Sequence, residues 1–297
     1  MDKIVYGLLK LLSRLPLPVL YIISYFLYFL NVYIIRYRTQ VVMENLQKAF
    51  PNKSKAELVK IQRKFFTNFF DFLVEMLKNF TVPADELKRR IQFLNRDLFQ
   101  KAFKEKKNVI MLAGHVFNWE WFNVLHTLLP QNHSHPVYLR MKNKFWEEKI
   151  CEVRNRFGSE SIETKDVLKH LLKNRKDGDA IYLFLADQSP HSRKITHGTT
   201  FLNQQTPVFT GYDRVGDKRD FSFIYCDTKK VKRGYYQVNF VEITPDAEVF
   251  EEYEVVEKFH RLLEKSIEKD PSNWLWTHRR WKYQNVLQNL KNTDQPS

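Results

Sequence analysis

At 297 residues, with 43% hydrophobic and 15% aromatic side chains, the chain can build a sizeable core as one large α/β domain or two small ones. Two cysteines, Cys151 and Cys226, far apart and without CxxC spacing, indicate no disulfide framework or structural zinc site, which fits a reducing compartment. The formal net charge of +14, from 48 Lys+Arg against 34 Asp+Glu, points to anionic partners (nucleic acid, anionic lipid or an acidic carrier protein), with solubility alone as the plain alternative.

The N-terminus comes first. From Leu15 to Ile35 there are 21 residues without Lys, Arg, Asp or Glu, about the number needed to cross a bilayer as a helix. Tyr21, Tyr25, Tyr28 and Tyr33 suit the headgroup region better than the hydrocarbon centre, and Pro16 and Pro18 suit a helix start. Lys10, Arg14, Arg36 and Arg38 flank the run, and no small-residue cleavage site follows it, which disfavours a secretory signal. We expect a membrane anchor over residues 1–38, spanning or interfacial; the alternative is a buried first helix.

Two helices follow, over Arg36–Phe50 and Ser54–Phe80, the second opened by the capping pair Ser54 and Glu57. Its wide aromatic face, Phe65, Phe66, Phe69, Phe70 and Phe72, fits a core better than an acyl-lined pocket. Beyond Asn95 the pattern alternates. Helices are expected over Leu98–Lys104, Glu120–Leu129, Phe145–Phe157, Lys165–Lys173 and Glu251–Ile267. Strands are expected over Asn108–Ala113, Pro136–Leu139, Ala180–Ala186, Val208–Thr210, Phe221–Asp227 and Tyr235–Ile243. Strands separated by helices predict an α/β fold with a mixed central sheet flanked by helices. The tail beyond about Asn292 is expected to be disordered.

Four polar clusters fall at strand ends or in loops. The first is His115 with Glu120, directly after the apolar run Asn108–Ala113 and Gly114. On a regular helix, positions i and i+5 are about 140° apart, so the two meet only if His115 stays in the turn while Glu120 sits in the first turn of the next helix. A base oriented by a carboxylate activates a hydroxyl. The second is Arg140, followed by Arg154 and Arg156, whose planar forks match phosphate oxygens. The third is Asp187-Gln188 after Ala180–Ala186, and the fourth is Trp276 to Lys282. If the strands are parallel neighbours, the first three converge on one sheet edge. Each has a plainer reading: a turn histidine, a surface ion pair for Arg140, a cap for Asp187, and cation–π packing for Arg279-Arg280 between tryptophans.

Other chemistries lack their signatures. There is no GxSxG elbow, no GxGxxG and no P-loop. His133 and His135 have no carboxylate at metal-site spacing and are taken as loop residues. No RRM or helix-turn-helix signature supports nucleic-acid binding.

With these residues in view, the chain resembles the bacterial lipid A biosynthesis acyltransferases of the lysophospholipid acyltransferase superfamily. The superfamily hallmark His-x4-Asp/Glu is matched by His115 and Glu120, the arginine block by Val137–Arg140 with Arg154–Gly158, the Asp-Gln block by Leu185–Gln188, and the C-terminal block by Trp276–Lys282. The sequence departs at Gly114, where the family has a polar residue, and at Phe201-Leu202-Asn203, where it has Phe-Phe-Gly. The resemblance implies a glycerolipid acyltransferase-like fold, with an acyltransferase domain over residues 39–292 and a disordered tail over 293–297. It also implies acyl transfer from acyl carrier protein to a hydroxyl of a phosphorylated lipid A precursor, on the cytoplasmic face of the bacterial inner membrane. His115 would take the hydroxyl proton, and Glu120 would hold the tautomer and stabilise the imidazolium. Arg140 would meet developing oxyanion charge or a lipid phosphate, and Arg156, Asp187 and Gln188 would line the substrate site. No metal or organic cofactor is required. Two alternatives stand beside this: an aminolipid or lysophospholipid acceptor, and a non-catalytic membrane-surface lipid-binding protein.

Overall fold

The computed structural model describes residues 1–129, 133–214, 218–244 and 251–287, so the tail over 293–297 lies outside the described residues. The N-terminal part is helical: α1 (Asp2–Leu12), α2 (Leu17–Leu30, continued by a π-helical turn Asn31–Ile35), α3 (Thr39–Ala49) and α4 (Lys55–Lys78). The remainder alternates as α5 (Ala84–Arg90), β1 (Ile91–Leu94), α6 (Asp97–Lys104), β2 (Asn108–Ala113), β3 (His133–Tyr138), α7 (Lys144–Arg154), β4 (Ile162–Glu163), α8 (Val167–Lys173) and β5 (Ala180–Leu185). It continues with β6 (Gly198–Phe201), β7 (Gln204–Pro207), β8 (Phe221–Lys232), β9 (Tyr235–Glu242) and α9 (Glu254–Lys269).

Seven strands form one mixed sheet in the order β1-β9-β8-β2-β5-β3-β4. Strands β8, β2, β5, β3 and β4 run parallel, while β9 turns back against β8 and pairs in parallel with β1. The expected α/β class and mixed sheet are therefore present. β2 sits between β8 and β5, and all six of its residues are buried, as its apolar β-branched sequence requires of a central parallel strand. Asn108 locks its start: its side-chain oxygen accepts from the Asp179 and Ala180 amides at 3.2 and 3.0 Å.

Several expected elements differ in kind. Residues 119–128 form a 3-10 helix rather than an α-helix. Val208–Thr210 is not a strand; pairing occurs one step earlier, in the β6–β7 hairpin, whose two-residue turn holds Leu202 at φ 48 and Asn203 at φ 62. Such a turn needs left-handed backbone, which Asn tolerates, so Asn203 suits the place where the family has glycine. His133 and His135 lie on β3 rather than in a loop, with His135 buried against the Glu160 carbonyl. β8 extends through Lys232, five residues beyond the expected end at Asp227.

α4 starts with the expected capping box: the Glu57 amide donates to the Ser54 hydroxyl at 3.3 Å, and Glu57 Oε2 accepts from the Ser54 amide at 2.8 Å. Its aromatic face is core, with Phe65, Phe66 and Phe72 buried and Phe72 stacked on Phe117 at 5.0 Å between centroids. α2 packs along α4. Its Ser24 hydroxyl donates to buried Asp71 at 2.7 Å, and its Tyr21 hydroxyl donates to buried Glu75 at 2.8 Å. Arg233 and Lys230 of β8–β9 close the same network on Asp71 at 2.6 and 3.5 Å. The opposite face of α2 and one face of α1 are apolar and exposed, with Ile4, Leu8 and Leu11 on α1 and Ile22, Phe26 and Phe29 on α2.

Candidate active site

The parallel register brings two clusters together. Ala113 pairs with Leu185, so two residues further on His115 faces Asp187 across the carboxyl edge of the sheet. The His115 ring Nδ1 is 2.5 Å from Asp187 Oδ1, and the His115 backbone amide donates to Oδ2 at 2.8 Å. Trp274 adds a third donor, its indole N–H lying 2.6 Å from Oδ2. Gly114 makes this approach possible: a Cβ there would stand 2.6 Å from the Leu263 side chain and 3.4 Å from Asp187 Oδ2. The family's polar residue would crowd this position, which gives the departure at Gly114 a local packing reason.

Burial alone would push the Asp187 carboxyl up. The His115 charge and the bonds from its ring, its backbone amide and Trp274 outweigh that and hold the carboxyl well below the usual carboxylate range. An ionised carboxylate only accepts, so Nδ1 carries a proton, and in the neutral ring Nε2 offers a lone pair. The Gln188 side-chain amide lies 3.1 Å from Nε2 and donates into it. The imidazole is thus held from behind by Asp187, covered in front by Gln188, and packed edge-on against Trp119 at 4.8 Å.

Glu120 does not hold this ring, which corrects the expected pairing. After His115 the chain does not enter a helix at once. It makes a β-bridge from Val116 to Trp274, the Phe117 amide donates to the Asn273 carbonyl at 3.0 Å, and Asn118 then caps the 3-10 helix by accepting the Glu120 amide at 3.1 Å. Asn118 is itself fixed by its amide donating to Glu75 at 2.9 Å. From that start the Glu120 carboxylate meets Arg154 through two guanidinium nitrogens, at 2.6 and 3.1 Å, and the Trp119 indole at 3.1 Å. Burial works against its ionisation, but Arg154 and, more weakly, Trp119 and the His115 charge keep its carboxyl below the usual range. Glu120 and Arg154 line a cavity of about 40 Å³ floored by Met111, Leu183 and Leu185.

The remaining expected site residues separate. Arg140 lies two residues beyond β3, at the same sheet edge, with an exposed side chain that makes no hydrogen bond to His115, Glu120 or Asp187. Arg156 turns away to the carboxyl end of α4, where it donates to the Asn79 carbonyl and, at 3.2 Å, to that of Val82. The C-terminal block does join the site, from behind. The Ser189 amide donates to His278 Nε2 at 3.2 Å, the Ser189 hydroxyl donates to the Arg280 carbonyl, and Leu275 donates to the His115 carbonyl at 3.1 Å. Arg280 is fully buried, donates to the Pro207 carbonyl at 2.8 Å and lies over the Phe201 ring, so the packing reading of this arginine holds, with a phenylalanine rather than a tryptophan beneath it. Trp274 escaped the sequence reading because it precedes the quoted block by two residues, and a lone tryptophan carries no spacing signal.

The comparisons with known proteins place this fold among the acyltransferases. Residues 1–283 match the family model described as bacterial lipid A biosynthesis acyltransferase, and the chain belongs to that family. It is 22% identical over 286 residues to the lipid A biosynthesis palmitoleoyltransferase of Escherichia coli strain K12, covering 93% of this chain and 89% of that protein. It is 23% identical over 282 residues to the lipid A biosynthesis lauroyltransferase of the same strain, with the same coverage. A lipid A biosynthesis acyltransferase of Shigella flexneri matches at 22% over 286 residues.

Proposed function

We propose that the enzyme moves a fatty acyl chain from the thioester of acyl carrier protein to a hydroxyl of a phosphorylated lipid A precursor, in one step with His115 as general base. The observation that carries this is the His115 ring, with Nδ1 held by Asp187 and Nε2 in contact with the Gln188 side-chain amide. The acceptor hydroxyl takes the place of the Gln188 amide. Its proton passes to Nε2 as its oxygen attacks the thioester carbonyl; the carbon–sulfur bond then breaks, and the imidazolium returns the proton to the departing sulfur. Asp187 fixes the tautomer and, with the field of the Glu120 carboxylate, stabilises the imidazolium. Base catalysis of this kind is worth about 10²–10⁴-fold. Exposed Arg140, at the same edge, supports a role in meeting anionic headgroups.

The apolar faces of α1 and α2 support membrane attachment. The stretch Leu17–Ile35 is long and apolar enough to cross a bilayer. A spanning α2 would carry its partners, the buried carboxylates Asp71 and Glu75 with Arg233, into hydrocarbon, at high cost. Helices α1 and α2 lying in the interface, apolar faces down, avoid that cost. Such an anchor would set the sheet edge beside the cytoplasmic leaflet of the inner membrane. In membranes carrying the full-length protein, wild type should transfer labelled acyl chains to lipid A precursor and His115→Ala should lose about 10²-fold or more. Near-wild-type transfer by a folded His115→Ala protein would sink the mechanism.

A further inference from the structure

The catalytic edge leaves one large polar cavity unused. It has a volume of about 460 Å³, within the range of ligand sites, and is bounded by α4, the extended end of β8, the end of α9 and the segment that backs the His115 loop. Val116 and Trp274 form one wall, the former adjacent to His115 in the chain and the latter bonded to Asp187. Four lysines line it: Lys64, Lys229, Lys230 and Lys269. Two are committed, Lys64 to Asp270 at 3.2 Å and Lys230 to Asn68 at 2.8 Å and Asp71 at 3.5 Å. Lys229 and Lys269 are exposed and form no ion pair among the described residues.

Small polar groups complete the lining. Asp227 accepts from the Ser266 hydroxyl at 2.6 Å, which leaves its second oxygen for another donor. Asn273 is buried, donates to the Phe117 carbonyl at 3.0 Å, and has a side-chain oxygen without a hydrogen-bond partner. Two free ammonium groups suit a compact dianion, while carboxylate and hydroxyl neighbours suit sugar hydroxyls. The strand that carries Lys229 and Lys230 leads directly to the apolar helices: Arg233 stacks over the Tyr21 ring of α2 at 4.3 Å. The strand that lines the cavity thus leads to the helix that carries the proposed membrane face.

We infer that this cavity takes a phosphate monoester on the sugar headgroup of the acceptor lipid, with Lys229 and Lys269 as its unpaired cations; the inference rests on the acceptor reading above. The other phosphate that reaches this enzyme under that reading is the phosphodiester of the carrier's prosthetic arm. The link to α2, through Arg233 over the Tyr21 ring, favours a ligand that arrives from the membrane.

The test uses the full-length protein in detergent and three probes: a deacylated, phosphorylated glucosamine disaccharide, the same sugar without phosphate, and phosphopantetheine. Wild type should bind the phosphorylated sugar about tenfold or more tightly than the dephosphorylated one in calorimetry. Lys229→Glu/Lys269→Glu should erase that preference, and Lys229→Ala/Lys269→Ala should reduce it; both lysines are exposed, and circular dichroism checks the fold. Equal binding of the two sugars by wild type, or a preference kept in the charge-reversed variant, would overturn the inference. So would displacement of the sugar by phosphopantetheine in wild type but not in the variant. A separate transfer assay tests the acceptor reading: no acylation of lipid A precursor by wild type rejects that reading, whereas the sugar titrations judge the cavity by themselves.

Discussion

Asp187, buried, and Glu120, nearly so, are both carboxylates near one imidazole, yet they face opposite ways. Asp187 receives three donors, two of them from His115 itself, and its negative charge is spent on the ring. Glu120 receives Arg154 and Trp119, so its charge is largely matched before His115 feels it. The difference originates in strand register. Asp187 comes from the neighbouring parallel strand, where two residues past a paired position meet directly. Glu120 comes from the same chain segment, after a bridge and an asparagine cap have turned the helix start away. A carboxylate five residues along the chain is a local signal; the one that grips the ring is 72 residues distant.

Breaking the two carboxylates separately should expose that asymmetry. The largest effect is expected from Asp187→Asn, which keeps the shape but offers Nδ1 the wrong partner; kcat should fall on the order of 10³–10⁴-fold in acyl-transfer assays. A loss under about tenfold would mean that Asp187 does not set the tautomer. Glu120→Gln should cost less, and its effect should be shared with Arg154. In a double-mutant cycle, Glu120→Gln and Arg154→Met should couple by about 0.5–3 kcal/mol, because each strands the other's buried charge. Glu120→Gln and Asp187→Asn should be closer to additive. Strong coupling between the two carboxylates instead would point to a single shared hydrogen-bond unit.

The smallest effect concerns stability rather than rate, and it tests the packing behind Asp187. His260 is fully buried, and burial, followed by the Arg280 charge, lowers its pKa to about 3. A histidine depressed in the folded state takes up its proton only on unfolding, so it costs stability as pH falls from about 6.5 toward 3. The slope is about 1.4 kcal/mol per pH unit for one proton. His260→Gln should therefore flatten the dependence of unfolding free energy on pH by about one proton between pH 6 and 4, measured by urea titration. An unchanged slope would contradict a neutral buried His260. His278, lowered to about 4 by burial first and Arg280 second, should act in the same direction.

Much of this molecule was legible in order but not in pairing. The apolar runs Asn108–Ala113 and Ala180–Leu185 are strands, the first buried throughout and the second at all but Leu183 and Leu185, and their polar ends mark the active edge. That His115, Asp187 and Gln188 meet follows once those strands are neighbours, and only the sheet order supplies this. Short elements were invisible for a physical reason: β1, β4 and β6 have four, two and four residues, too few for a period to show. The planar fork of Arg156 fits a phosphate, but the same fork fits the carbonyls of Asn79 and Val82 just beyond α4. The lysine cavity draws on α4, β8 and α9 at once, so no stretch of sequence contains it.

The hydrogen bond between His115 Nδ1 and Asp187 can be observed directly by nitrogen-15 and proton NMR of histidine-labelled protein at neutral pH. Wild type should show a strongly downfield Nδ1 proton on His115 that persists in Glu120→Gln and disappears in Asp187→Asn. A signal that survives Asp187→Asn and vanishes in Glu120→Gln would contradict the assignment of Asp187 as the carboxylate that holds the base.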